Sequence, residues 1–190
     1  LREKRLAMPH MPATGVSGVD LYGRDSKGVM RWMAVVKPGK PAIEARLVNG
    51  LDGKRREYAL YLPLYNGVKS LEIGVPEGAK FKPLGPRSKP IVIYGTSIAH
   101  GACASRPGMS FPSILGRRLK RAVVNLGFSG SGTMDLAVGQ FLKEIDAAAF
   151  VIDCLPNMKA QQVAQRCAPL VREIRSKRKA PILLVEDRTW

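Results

Sequence analysis

The C-terminal half of this chain alternates short apolar runs with longer amphipathic ones, and that order leaves few folds open to it. Residues 91–94 (Ile-Val-Ile-Tyr), 122–125, 149–153 and 182–185 read as buried strands. Between them, residues 110–120, 134–145 and 159–176 carry helical patterns. Ser110 and Pro112 suit the first turn of the first helix. In the last helix Val163, Cys167, Leu170 and Ile174 fall on one face, so Cys167 is expected to pack, and Pro169 is expected to kink or divide the helix. A βαβαβαβ order predicts a parallel sheet with helices on both faces and ligands beyond the carboxyl ends of its strands. Function is therefore expected from Gly95, Asn125 and Asp153 onward.

The first part of the chain has a different texture. Residues 19–22, 29–36, 42–48, 57–62 and 68–75 are short extended runs separated by turn formers such as Pro38-Gly39, Asn49-Gly50, Asp52-Gly53 and Asn66-Gly67. They predict a small antiparallel, β-sandwich-like domain over residues 1–86, ending in the linker Lys82-Pro83-Leu84-Gly85-Pro86. The second domain is expected to run from Arg87 to Trp190.

Composition narrows the functional classes. No stretch approaches the roughly 18 to 20 apolar residues of a membrane-spanning helix, and the first 12 residues are too charged for a secretory signal. Cys103, Cys154 and Cys167 lack C-x-x-C spacing and are odd in number, so neither a metal site nor a disulfide set is indicated. The net charge of +16 would suit nucleic acid if the cations clustered. The densest runs, Arg117 to Arg121 and Arg172 to Lys179, instead sit at predicted helix ends, where cations favour the dipole. With 6% aromatic residues and no nucleic-acid motif, a solvated basic surface is the better reading.

Each strand end carries an element of chemistry. The first runs into Gly95-Thr96-Ser97-Ile98, a serine where strand turns toward helix. Taken alone this is weak, because a serine in a turn most often caps backbone. The second runs into Asn125-Leu126-Gly127-Phe128-Ser129-Gly130-Ser131-Gly132, whose glycine spacing fits neither the dinucleotide nor the phosphate-loop pattern. The third runs into Asp153-Cys154-Leu155-Pro156-Asn157-Met158, with the Asn157 amide beyond the strand.

Serine, glycine and asparagine in that order resemble the SGNH (GDSL-like) hydrolases. The segments Tyr94 to Ile98, Gly101 to Gly108, Asn125 to Gly130 and Asp153 to Met158 are similar to a bacterial GDSL-like esterase group with an N-terminal G-x-D-L-Y signature, here Gly18-Val19-Asp20-Leu21-Tyr22. The resemblance implies a flavodoxin-like α/β/α hydrolase domain after the β domain, and no metal or organic cofactor. It implies Ser97 as nucleophile, with an oxyanion hole made by the N–H groups of Ser97 and Gly130 and the amide of Asn157. Thr96 stands where the broader pattern has aspartate.

The family's late Asp-x-x-His, which supplies acid and base, has no counterpart here: the histidines are His10 and His100. A serine hydrolase needs a base within reach of its hydroxyl. One or two further αβ units, on the order of 30 residues each, are thus expected beyond Trp190, and the chain alone is expected to be nearly inactive. The implied substrate is a carboxylic ester, with acetyl groups on carbohydrate as one class. A non-catalytic glycan-binding module on a hydrolase scaffold is the alternative. An extracytoplasmic, periplasmic or secreted location is the expectation from similar proteins. Arg106 is a candidate for substrate binding, with a surface ion pair as the competing role. Glu186 and Asp187 are expected near the rim, Asp20 and Tyr22 to serve a turn or an interface, and Trp32 and Trp190 to be buried or to form a sugar platform.

Overall fold

The computed structural model describes residues 1–85 and 88–186; Pro86 and Arg87 at the expected linker, and Asp187 and Trp190, lie outside them. Two compact units result, each with its own sheet. The first comprises Leu1–Gly85 together with Cys103–Met109.

In the first unit, helix α1 (Ala13–Val16) precedes strands β1 (Val19–Arg24), β2 (Met30–Val36) and β3 (Tyr58–Tyr61). The strands pair antiparallel in the order β2-β1-β3. β1 is central and carries the G-x-D-L-Y signature, which is why Asp20, Leu21 and Tyr22 are all buried. The strands expected at residues 42–48 and 68–75 do not form. Leu71, Ile73 and Val75 are each about half exposed. Extended propensity reflects packing on a pleated surface more than backbone preference, so an apolar run with no neighbouring strand and no covering layer stays irregular.

The second unit follows the predicted alternation closely. Strand β4 (Ile91–Gly95) leads through helices α2 (Ser97–His100) and α3 (Phe111–Leu119) to β5 (Val123–Gly127). Helix α4 (Leu136–Leu142), β6 (Ala149–Asp153), α5 (Ala160–Arg175) and β7 (Ile182–Leu184) follow. The sheet is parallel, in the order β5-β4-β6-β7, which is the flavodoxin-like arrangement. β4 lies inside it, every residue buried, as its unbroken apolar run requires.

Each sheet face has its own core. On one, Val92 and Tyr94 of β4 and Phe150 and Ile152 of β6 pack with Leu142 of α4 and with Leu170 and Ile174 of α5. On the other, Ile91, Ile93 and Ala99 pack with Leu115 and Val123. The alternation of β4 residues between the two clusters is the two-residue period of a strand with both faces covered.

Pro169 does not divide α5, which runs as one helix of 16 residues. A proline inside a helix removes one hydrogen bond. Here Leu170 and Ile174, both essentially fully buried, anchor the stretch beyond it, each such side chain contributing about 1.5–3 kcal/mol. Cys167 is half-buried and packs against this core, as its spacing predicts. The basic run at the end of α5 is tied into the fold. Arg178 donates to Lys143 O and Glu144 O, both at 2.6 Å, and Lys177 pairs with Glu144 at 2.5 Å.

Candidate active site

Strand register places the candidate residues. Gly95 at the end of β4 lies opposite Gly127 of β5 on one side and Asp153 of β6 on the other. Three consecutive strands thus end level, and the three segments carrying Ser97, Gly130 and Asn157 leave from one rim. This is the carboxyl end of the sheet, as the sequence predicts.

Ser97 opens α2 and is half-buried. As the first helical residue, its N–H has no carbonyl within the helix to bond. Its hydroxyl makes no hydrogen bond among the described residues. The residue before it, Thr96, is fully buried, and its Oγ1 accepts the Ile98 N–H at 3.3 Å, capping the helix. The Thr96 N–H donates to Asp153 O at 3.2 Å. Threonine in place of the family's aspartate therefore still supplies the capping oxygen.

The glycine-rich segment after β5 folds back over the β4 end. Phe128 N–H donates to Gly95 O at 2.9 Å. Gly132 lies so close that a Cβ there would stand 2.2 Å from Gly95 O and 2.9 Å from Thr96 N. At Gly127 a Cβ would meet the His100 backbone nitrogen at 2.1 Å. Neither close approach is readable from glycine spacing, because both partners come from another strand's end. Gly130 differs: it is surrounded by open space but has φ +73°, a left-handed conformation that suits glycine.

Asn157 ends a 3-10 turn, Leu155–Asn157, directly after β6. The amide orientation that satisfies its neighbours turns the side-chain oxygen toward Ser131 N–H and Gly132 N–H, each at 3.3 Å. The amide nitrogen is then left as a donor. Asn125, on the expected rim, has a structural role instead. Its Nδ2 donates to Ala99 O at 2.8 Å and its Oδ1 accepts Gly127 N–H at 3.0 Å, tying β5 to α2.

A layer beneath the rim leaves no trace in the sequence. The Asp135 N–H donates to the Tyr94 hydroxyl at 3.1 Å, Thr133 Oγ1 donates to Asp135 Oδ2 at 2.8 Å, and Arg166 donates to Thr133 O at 3.0 Å. Burial, the largest cause, pushes the Tyr94 phenol pKa up. His100 is half-buried on α2, and its backbone N–H donates to Thr96 O at 3.0 Å. His10 is exposed in the first unit. Among the described residues no cluster of three or more His, Cys, Asp or Glu could hold a metal ion, and no helix is long and apolar enough to cross a membrane.

Arg106 falls in the first unit, where its Nε lies 3.3 Å from Oδ2 of the buried Asp20. Its guanidinium stands 4.8 Å over the Trp32 ring. Trp32 is half exposed, so its expected burial is not met; the arginine covers part of it instead.

The cysteines give a chemical check on these environments. Cys154, after β6, is fully buried, and desolvation raises its pKa to about 11. It is expected to resist a thiol-exchange reagent at pH 8, while the exposed Cys103 reacts at once. Counting labelled thiols with and without denaturant tests this. The sign for stability follows: the folded thiol holds its proton more tightly than the ordinary value of 9.0, so this contribution is present below pH 9.0 and is lost as pH rises through about 11.

A search of curated proteins returned no match. Among solved structures, the chain resembles a protein from Bacteroides ovatus assigned as a GDSL-like lipase. Identity is 38% and the TM-score 0.90, over 97% of this chain and 55% of that one. It shares its fold with the salicylyl-acyltransferase SsfX3 from a tetracycline biosynthetic pathway, at 18% identity and a TM-score of 0.65, over 87% of this chain and 51% of that one. The chain thus spans about half the length of these structures. Residues 2–81 match the family describing the N-terminus of SGNH-hydrolase-type esterases. Residues 88–190, which hold the strand ends described above, match the model of the GDSL-like lipase/acylhydrolase family, and the chain belongs to that family.

Proposed function

We propose that the full-length protein hydrolyses carboxylic esters through an acyl-enzyme on Ser97. The observation that carries this reading is the level register of Gly95, Gly127 and Asp153, which sends the three candidate segments off one rim. Ser97 Oγ attacks the ester carbonyl as a general base takes its proton. The carbonyl oxygen becomes an oxyanion facing the N–H groups of Ser97 and Gly130 and the Asn157 amide. The C–O bond to the alcohol then breaks, the alcohol leaves with the proton, and water attacks the acyl-serine in the same manner. Acetyl groups on carbohydrate are the substrate class the family resemblance favours. The general base belongs to an Asp-x-x-His motif outside these 190 residues.

The orientation of Asn157 supports its part. With its oxygen held by two N–H groups of the glycine-rich segment, its nitrogen is aimed without needing to reorganise. Asn157→Ala in the full-length protein is therefore expected to lower kcat roughly 10²–10³-fold while moving KM little. Mass-spectrometric mapping after a fluorophosphonate probe tests the nucleophile. The adduct is expected on the peptide holding Ser97; an adduct elsewhere, or none in a protein that still cleaves esters, would overturn the reading.

A further inference from the structure

Residues 131–135, which join the glycine-rich turn to α4, contain a strained backbone. Met134 has φ 55°, in the left-handed region that side chains disfavour, and it is buried in the core with Tyr94 and Cys154. Such a conformation persists only where its surroundings over-determine it. Here hydrogen bonds bracket it. Before it, Arg166 of α5 donates to Thr133 O at 3.0 Å; after it, the Asp135 N–H donates to the Tyr94 hydroxyl at 3.1 Å. Arg166 Nη1 also lies 3.6 Å from Asp135 Oδ1, and Thr133 Oγ1 donates to Asp135 Oδ2 at 2.8 Å.

The other end of this bracketed segment faces Asn157. The Ser131 and Gly132 N–H groups are shared: they donate to Phe128 O at 3.0 and 2.9 Å, and each faces the Asn157 oxygen at 3.3 Å. The longer arm lies beyond the usual N–H···O range of about 2.7–3.2 Å, so a small shift of the segment loses it first. Phe128 belongs to the same turn and moves with it, whereas Asn157 is anchored separately, after β6. Tyr94 reaches both ends of the stretch. Its ring, fully buried in β4, meets Phe128 edge-on with centroids 5.8 Å apart, while its hydroxyl takes the Asp135 N–H.

We propose that Tyr94 is a positioning residue for the oxyanion hole: through residues 131–135 its hydroxyl keeps the Asn157 oxygen held and the amide nitrogen aimed at the carbonyl oxygen of the substrate. Arg166 shares the task from the other side of Met134. Tyr94 has no exposed surface, so it acts through Asn157 and not on the substrate. The inference rests on the Ser97 reading, because it assigns a supporting layer to that same site. Tyr94→Phe keeps the ring and its contact with Phe128 and removes only the acceptor of the Asp135 N–H. Met134 can then relax toward an ordinary backbone, drawing Ser131 and Gly132 away from Asn157. The loss falls on the transition state, where the oxyanion forms, and not on substrate binding.

The test is a double-mutant cycle in the full-length protein, read by steady-state kinetics on an ester substrate. Tyr94→Phe alone is expected to lower kcat about tenfold, with KM within about twofold. In an Asn157→Ala background the same substitution is expected to cost less than about twofold, because no amide remains to be aimed. A loss of the same factor in both backgrounds makes Tyr94 a merely structural residue and overturns the proposal, as do an unchanged kcat and a loss carried by KM. If Tyr94→Phe fails to fold, Arg166→Met takes its place in the cycle: a kcat loss confined to proteins that retain Asn157 supports the proposal, and an additive or absent loss overturns it. Failure of the Ser97 reading is seen separately, as phosphonate labelling of the unmodified protein that misses Ser97.

Discussion

Ser97→Ala in the full-length protein is expected to lower kcat for ester hydrolysis on the order of 10³- to 10⁶-fold, because loss of a covalent nucleophile removes the reaction path and leaves only oxyanion stabilisation and binding. The fold should barely notice. The Ser97 hydroxyl is half-buried and carries no hydrogen bond among the described residues, while the capping of α2 is supplied by Thr96. A Tm within about 2 °C of the parent is therefore expected, since substitutions away from buried networks usually stay within about 0.5 kcal/mol. KM should stay within a few-fold. Measured side by side, steady-state kinetics and thermal denaturation separate a chemical role from a structural one. Hydrolysis persisting above a few per cent would assign the nucleophile to another residue.

Gly132→Ala has the second large expected effect, and for a different reason. The added carbon would lie 2.2 Å from Gly95 O and 2.5 Å from Gly95 C. These are backbone atoms at the end of the fully buried β4, which has no room to retreat. Either the glycine-rich segment or the strand end must move, and overpacking of that kind costs about 3 kcal/mol or more. A Tm lower by roughly 10 °C follows for a protein of this size. Activity should fall as well, because Gly132 N–H is one of the two groups that hold the Asn157 oxygen. Gly130→Ala is the internal comparison. Its surroundings are open and only its left-handed backbone is at stake, so about 1–2 kcal/mol is expected. Equal losses from the two would mean that close approach to β4 is not what Gly132 supplies.

Much of the second unit is legible in the amino-acid order alone. Strands β4 to β7 fall within a residue or two of the apolar runs that predict them, and α3 and α5 within a residue of theirs. Such segments are legible because buried strands and amphipathic helices write their burial into residue spacing. The first unit is less so. Two of its five extended runs, at 42–48 and 68–75, acquire no strand partner, and partner availability is a property of the whole sheet that no local pattern encodes.

The candidate site divides along the same line. Ser97, Gly130 and Asn157 stand out in sequence because each follows a predicted strand in a known order. The locks around them do not: Gly132 against Gly95, Gly127 against His100, and Asn125 bridging to Ala99 each join residues from different strand ends. Arg106 is the clearest case. In the chain it lies between the candidate nucleophile and the helix that follows, but its ion pair is with Asp20, 86 residues earlier.

The sequence by itself thus determined the alternating α/β order, the family, and the three residue types delivered to the strand ends, because periodicity and short motifs are local and survive without coordinates. Tertiary structure alone decided that those ends lie level, that Pro169 can sit within an unbroken helix, and that a buried carboxylate in the first unit holds a loop joined to the second. Each depends on contacts between residues distant in the chain, and such contacts leave no periodic trace in either partner.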